Sequence, residues 1–150
     1  MVLQRNEINE KNTWDLSTIF ETDQKWEEEL ALLTEDTKEA ARLEGHLLDS
    51  AEILLNITER YLDLSRRLEK LYVYSHMKND QDTRVAKYQE YYAKAMTLYS
   101  QLDQVFSFYE PEFMAITEEQ YQNFLAEEPK LQPYKHFFDK LLQNKEHVLS

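Results

Sequence analysis

The histidines of this chain could bind a transition metal, but their spacing argues against a site on one helix. A zinc peptidase helix carries His-Glu-x-x-His, which places two imidazoles one turn apart and a glutamate beside them to activate water. The four histidines are His46, His76, His136 and His147, and each is followed by an apolar residue rather than Glu. The chain also lacks Cys, so thiolate zinc ligands are excluded. We predict that this segment alone holds no zinc.

Other catalytic patterns fail in the same way. A di-iron bundle needs Glu-x-x-His pairs, and the residues three before the histidines are Leu43, Val73, Pro133 and Asn144. Runs of carboxylates at 27–29, 118–119 and 127–128 are typical of solvated helix faces. Without Cys, or a Ser flanked by Gly, there is no candidate nucleophile. We therefore predict no catalytic, cofactor-binding or metal-ligating residue in this segment.

Two features could serve binding rather than catalysis. A basic cluster of Arg60, Arg66, Arg67 and Lys70 is interleaved with acidic residues. It is interpreted either as a contact for an anion or partner, or as ion pairs along its own helix or with the acidic first helix. Seven of the ten tyrosines lie in the range 72–109. They form either a core with wet edges or a surface facing a neighbouring domain or a water-filled channel.

Composition bounds the fold and the partners. The chain of 150 residues has one Gly and three Pro, which disfavours tight hairpins and excludes Gly-rich phosphate loops. A net charge of −12 repels phosphate backbones, so we expect no nucleic acid partner. Apolar runs are too short for a membrane span, and residues 1–11 lack the apolar core of a signal peptide. These observations predict a cytoplasmic protein that does not bind membranes.

The apolar periodicity predicts an all-α fold, an antiparallel bundle of about five helices with a long central hairpin at about 50–78 and 83–110. We expect a single domain over 1–150, with an extended arm at 1–22 and a helical body at 23–150. The first helix should run from Asp23 to Leu43, with Gly45 as the residue of positive φ after it. Asp49 and Glu52 predict the cap of the second helix.

The remaining boundaries follow from caps and prolines. The polar turn at 79–82 offers Asp82 as the N-cap of the third helix, which Pro111 should end or kink. Thr117 and Gln120 predict a capping box for a fourth helix that stops before Pro129. A fifth helix is predicted to begin around Pro133.

Three groups of residues, taken in order, resemble the amino-terminal region of oligoendopeptidase F, a family of bacterial zinc peptidases of the thimet-oligopeptidase class. The first group is Thr13-Trp14-Asp15-Leu16 with Ile19-Phe20, Asp23 and Trp26; the second is Leu71-Tyr72-Val73-Tyr74-Ser75 with Asp82; the third is Tyr134, His136-Phe137, Lys145, His147 and Leu149-Ser150. The resemblance covers nearly the whole chain.

The resemblance implies a helical peptidase that cleaves short peptides with one zinc ion, in a channel enclosed by two halves. The zinc helix of that family lies far toward the carboxyl end, so none of its catalytic residues maps onto this segment. The segment would wall the channel, limit access to it, and have the carboxyl-terminal catalytic domain of the same chain as its partner. The alternative is a stand-alone acidic helical adaptor without catalysis.

Overall fold

In a computed structural model of the chain, the structure describes residues 19–81 and 83–149, with the backbone alone described for 145–149. Every regular element in these ranges is helical, which confirms the all-α prediction. The α-helices are α1 (Asp23–Ala40), α2 (Ala51–Gln81), α3 (Ala86–Val105), α4 (Tyr109–Met114), α5 (Glu118–Glu127) and α6 (Lys135–Leu149). Most of the predicted arm, with Trp14 and Leu16, and the predicted cap Asp82 lie outside the described residues.

The connection from α1 to α2 contains the glycine. A 3₁₀ turn at Ala41–Leu43 follows α1, and Gly45 has φ of +88°, as the sequence predicted. The predicted cap of α2 was wrong by one residue. Ser50, not Asp49, accepts the hydrogen bond from the Ile53 N–H at 3.0 Å. The carboxylate of Asp49 instead contacts the ring of His46 at 2.8 Å.

The proline at 111 divides the predicted third helix. A 3₁₀ turn at Phe106–Phe108 follows α3, and Pro111 lies in the first turn of α4. Proline has no N–H to donate to the carbonyl four residues earlier, and its ring clashes with that carbonyl. The helix therefore changes to tighter 3₁₀ geometry at the preceding turn. This break turns the predicted 83–110 helix into two α-helices and adds α4 to the expected five.

The later helices follow the predicted caps with one correction. Thr117 Oγ1 accepts from the Gln120 N–H at 3.1 Å, which confirms the cap of α5. Pro133 does not start the last helix, because it lies inside a 3₁₀ turn at Pro129–Tyr134 and α6 begins after it. The backbone of that turn forms 3₁₀ hydrogen bonds, so the α-helix begins only at Lys135.

The chain packs into two compact units. Among the described residues, the first unit holds those up to Lys38 and those of Leu64–Leu102, and the second holds Glu39–Asp63 and those from Asp103 onward. The core of the first unit comprises Trp26, Leu33, Leu64, Leu68, Leu71, Tyr91, Ala95 and Leu98. The core of the second unit comprises Leu47, Leu54, Ile57, Tyr109, Phe113, Ile116, Tyr121, Leu131 and Phe138.

Ring contacts show that α2 and α3 are antiparallel neighbours in the first unit. Tyr72 of α2 lies 5.6 Å from Tyr92 of α3, between ring centroids. Six residues further along α2, the Lys78 ammonium lies 5.8 Å from the centroid of the ring of Tyr88, which is four residues earlier on α3 than Tyr92. Residue numbers therefore increase along α2 where they decrease along the facing α3, so the two helices are antiparallel, as the short connection between them predicted.

Candidate functional site

The histidines do not converge. His46 lies in the turn before α2, His76 on α2 lies 3.6 Å from Asp80 one turn away, and His136 is exposed in the first turn of α6. The side chain of His147 is outside the described residues. Among the side chains that the structure describes, no three His, Asp or Glu residues gather as a metal site.

The basic cluster contains an ion-pair network that its sequence only suggested. Arg67 on α2 donates from Nε to Glu29 Oε1 at 2.6 Å and from Nη1 to Asp36 Oδ2 at 2.9 Å. Both carboxylates belong to α1, and the side chains of Arg67 and Glu29 are each 25% exposed. The interpretation as ion pairs with the acidic first helix is confirmed for Arg67.

A second network surrounds the carboxylate of Asp23, the first residue of α1. Tyr74 of α2 donates its hydroxyl to Oδ1 at 2.6 Å, and Tyr88 of α3 donates to Oδ2 at 3.0 Å. The Lys87 ammonium lies 2.9 Å from Oδ2. Burial opposes ionisation of Asp23, but these three donors outweigh it and lower the pKa of the carboxyl below its usual value. This one carboxylate of α1 therefore binds side chains of both α2 and α3 in the first unit.

The connection between α1 and α2 is held by a carboxylate within the second unit. Glu112 of α4 accepts from the Gly45 N–H at 2.7 Å and from the Leu47 N–H at 3.2 Å. The two amides point to the same side because the chain reverses at the positive φ of Gly45. This anchor joins residues more than 60 positions apart in the sequence.

The tyrosines differ in how far they are exposed. Tyr74, Tyr91 and Tyr109 are buried core side chains. The hydroxyl of Tyr109 contacts that of Thr58 at 2.5 Å inside the second unit. Tyr99 is different, because 59% of it is exposed.

Tyr99 belongs to a row of side chains that we call the aromatic face: Tyr72, His76, Tyr92, Met96 and Tyr99. On α3 the last three are four and three residues apart, so they lie on one side of the helix. The ring of Tyr92 lies 5.6 Å from Tyr72 and 5.9 Å from His76, between centroids. Met96 is 39% exposed. Met96 and Tyr99 therefore leave uncharged, partly apolar surface open to solvent on this face.

A separate shallow cavity lies where α1 and α3 meet in the first unit. Its volume is about 300 Å³, and Leu30, Thr34, Ala93, Thr97 and Leu98 line it. Its lining also includes Glu90 and Lys94, whose charged groups lie 3.3 Å apart, one turn from each other on α3. The exposed surface of the lining is mostly apolar, and its two charged side chains pair with each other.

Comparisons with known proteins agree on one family. The profile of the family described as Oligopeptidase F matches residues 112–150. Group B oligopeptidase PepB of Streptococcus agalactiae is 58% identical over 146 residues, which are 97% of this chain and 24% of that protein. An oligoendopeptidase F homolog of Lactococcus lactis is 53% identical over 151 residues, which cover 100% of this chain and 25% of that protein.

A solved structure extends the similarity to the fold. The crystal structure of oligoendopeptidase-F from Enterococcus faecium matches with a TM-score of 0.77 and 38% identity, over 85% of this chain and 25% of that one. The chain therefore spans about a quarter of the length of the relatives it matches.

Within the described ranges, no helix is both long enough and apolar enough to cross a membrane.

Proposed function

Because the chain belongs to the oligoendopeptidase F family, we propose that its 150 residues form the amino-terminal helical domain of a zinc metalloendopeptidase that hydrolyses short peptides. The observation that carries this proposal is the 58% identity over 97% of the chain to a protein about four times as long. The remaining three quarters of such a protein would contain the catalytic residues and would be the main partner of this segment.

The zinc ion of the proposed peptidase does not fit the residues described here. Its ligands would need three or more converging His or carboxylate side chains, and the described residues contain no such group. We therefore assign no step of peptide hydrolysis to this segment. The zinc-binding helix is proposed to lie beyond residue 150.

The proposed contribution of this segment is mechanical: it walls the substrate channel and limits access. Helix α2 has 31 residues, so its axis is about 46 Å long at 1.5 Å per residue. Within the first unit, the networks of Asp23 and Arg67 hold α1 against α2. Helices held together by these hydrogen bonds and ion pairs would exclude folded proteins from the channel by their size, which favours short, extended peptides. They would also limit the entry of bulk water into the channel.

A comparison of substrates tests the wall. The full-length peptidase would be assayed with peptides of increasing length and with a casein-like unfolded protein, alongside a variant with Asp23→Ala and Arg67→Ala. If these helices limit access, the double variant hydrolyses the long substrates faster relative to the short ones, and its zinc content is unchanged. An unchanged length preference in a folded, zinc-loaded double variant would contradict the wall.

The alternative of a stand-alone adaptor makes a different prediction. It requires the 150 residues to be a complete monomeric protein that binds a partner without any peptidase in the same chain. Sequencing the reading frame on both sides of this segment separates the two, because the proposed peptidase needs a downstream His-Glu-x-x-His. We further propose that the peptidase is cytoplasmic.

A further inference from the structure

We infer that the aromatic face of α2 and α3 is the surface on which the remainder of the peptidase chain, beyond residue 150, packs. This inference rests on the proposed function, since it requires that the segment is part of a longer chain. It goes further by naming the surface and its central residues, Met96 and Tyr99.

The composition of the face favours a buried contact. Tyr92, Met96 and Tyr99 carry no formal charge, although 31% of the residues in the chain are charged. Interface centres are enriched in Tyr and Met and depleted in Lys, Glu and Asp. Tyrosine suits such a position because its ring supplies apolar area while its hydroxyl keeps a hydrogen bond at the edge.

The face is also held in place. Tyr92 is half-buried and its ring contacts both Tyr72 and His76, which themselves lie 5.6 Å apart between centroids. Rings supported in this way lose less side-chain entropy when a partner covers them. A partner that covers Met96 and Tyr99 would therefore pack beside the rings of Tyr92 and its neighbours, which are already held in place.

Leu32 shows that exposure alone does not identify the surface. It is as exposed as Tyr99, at 59%, but it lies on α1, and a single apolar side chain on a surface is ordinary. Met96 and Tyr99 differ because they are one turn apart and continue a row of aromatic rings. Exposed apolar side chains that adjoin one another are typical of interaction sites, whereas isolated ones are not.

The size of the missing chain argues for this occupant over a bound peptide. The relatives are about four times as long as this segment, so a large body must contact it if the segment is to act as a fixed wall. A short peptide carries charged termini, and the exposed residues Met96 and Tyr99 have no charge with which to bind them. The uncharged side chains of Tyr92, Met96 and Tyr99 suit a protein surface better than the charged end of a peptide.

Thiol labelling in the full-length peptidase tests the inference. Because residues 1–150 contain no Cys, a single introduced Cys is unique within the segment, and peptide mapping separates any thiol from elsewhere. The variants are Tyr99→Cys and Met96→Cys, with Leu32→Cys as the matched control. Each labelling rate is divided by the rate for the same variant in urea.

We expect position 99, and position 96 in parallel, to label at least tenfold more slowly than position 32. Equal normalised rates at 32 and 99, whether both fast or both slow, would overturn the inference. Slow labelling that is lost on dilution would indicate a second copy, and slow labelling that needs added peptide would indicate substrate. Either result overturns it as well.

The same samples separate this inference from the proposed function. Peptidase activity and zinc content are measured on each variant before labelling. An active, zinc-loaded protein that labels rapidly at 96 and 99 refutes the packing surface and leaves the peptidase assignment standing. An unaltered full-length protein that lacks both zinc and activity refutes the proposed function itself.

Discussion

The indole ring of Trp26 lies flat against the phenol ring of Tyr91, with centroids 4.0 Å apart and planes within 4° of parallel. Its Nε1–H donates to the carbonyl oxygen of Leu71 at 2.9 Å. Trp26 is fully buried and lies on α1, whereas Leu71 belongs to α2 and Tyr91 to α3. A single side chain of α1 therefore contacts both other helices of the first unit, α2 and α3.

Replacing Trp26 should be among the most destabilising single changes in this segment. Trp26→Ala removes the ring and leaves a cavity, for which we expect a loss of about 3–5 kcal/mol in the free energy of unfolding. Trp26→Phe keeps an aromatic ring beside Tyr91 but loses the hydrogen bond and some volume, and should cost about 1–2 kcal/mol. Urea unfolding followed by circular dichroism measures both. Both variants lose the hydrogen bond, so equal losses would contradict the expected contribution of the ring packed against Tyr91.

Stability should depend on the charge of Asp23 in a way that pH reveals. Asp23→Asn removes the negative charge that faces Lys87 and two hydroxyls, and should cost about 1–2 kcal/mol at neutral pH. The folded state lowers the pKa of Asp23, so the folded protein binds fewer protons at this group than the unfolded chain. Its stabilisation is therefore complete above the unfolded pKa of about 4 and is lost as the pH falls through the folded pKa.

The measurement is urea unfolding of both proteins between pH 7 and pH 2. The difference between wild type and Asp23→Asn should shrink toward acid, because protonation removes the same charge from the wild type. Asp103→Asn serves as the control, since Asp103 is an exposed carboxylate on α3. A difference for Asp23→Asn that stays constant down to the lowest pH would contradict the ionised network.

The guanidinium of Arg67 should not be replaceable by an ammonium. Lysine retains the charge but cannot hold Glu29 and Asp36 from one planar group, so Arg67→Lys should cost about 1 kcal/mol. Because the pairs are partly exposed, the loss should decrease in high salt. Lys38→Met is the control, since Lys38 is 66% exposed beside Glu35 and should change stability by less than about 0.5 kcal/mol.

A double-mutant cycle identifies the partner. Combining Arg67→Met with Glu29→Gln should give a loss smaller than the sum of the two single losses, by about 0.5–1 kcal/mol. Strict additivity would show that the 2.6 Å contact contributes nothing to stability.

The glycine at position 45 should be required for its backbone rather than for its size. A Cβ added there meets no atom within 4 Å, and the φ of +88° is one that L-residues rarely adopt. Gly45→Ala should therefore cost about 1–2 kcal/mol, all of it conformational. Gly45→Asn should cost less, because Asn tolerates positive φ better than Ala. Thermal unfolding of the two variants checks the order, and a more stable Ala variant would refute the conformational explanation.

Local features of this fold were predictable, because each depends on residues within one turn. The Thr117 cap of α5 and the positive φ at Gly45 were predicted from residue type and position, and both were confirmed. The prediction for the cap of α2 was wrong because two residues that are both good caps are adjacent in the sequence. Asp49 pairs with His46, and Ser50 takes the role.

Helical periodicity and proline geometry act over a few residues, so the all-α fold and the break near Pro111 could be predicted from the sequence alone. The packing of the helices, by contrast, selects the hydroxyls that donate to Asp23, which are those of Tyr74, 51 residues away, and Tyr88, 65 residues away. It also decided that Tyr91 is covered while Tyr99 is exposed. These choices depend on how helices distant in sequence are packed, and the periodicity of a single helix does not contain that relationship.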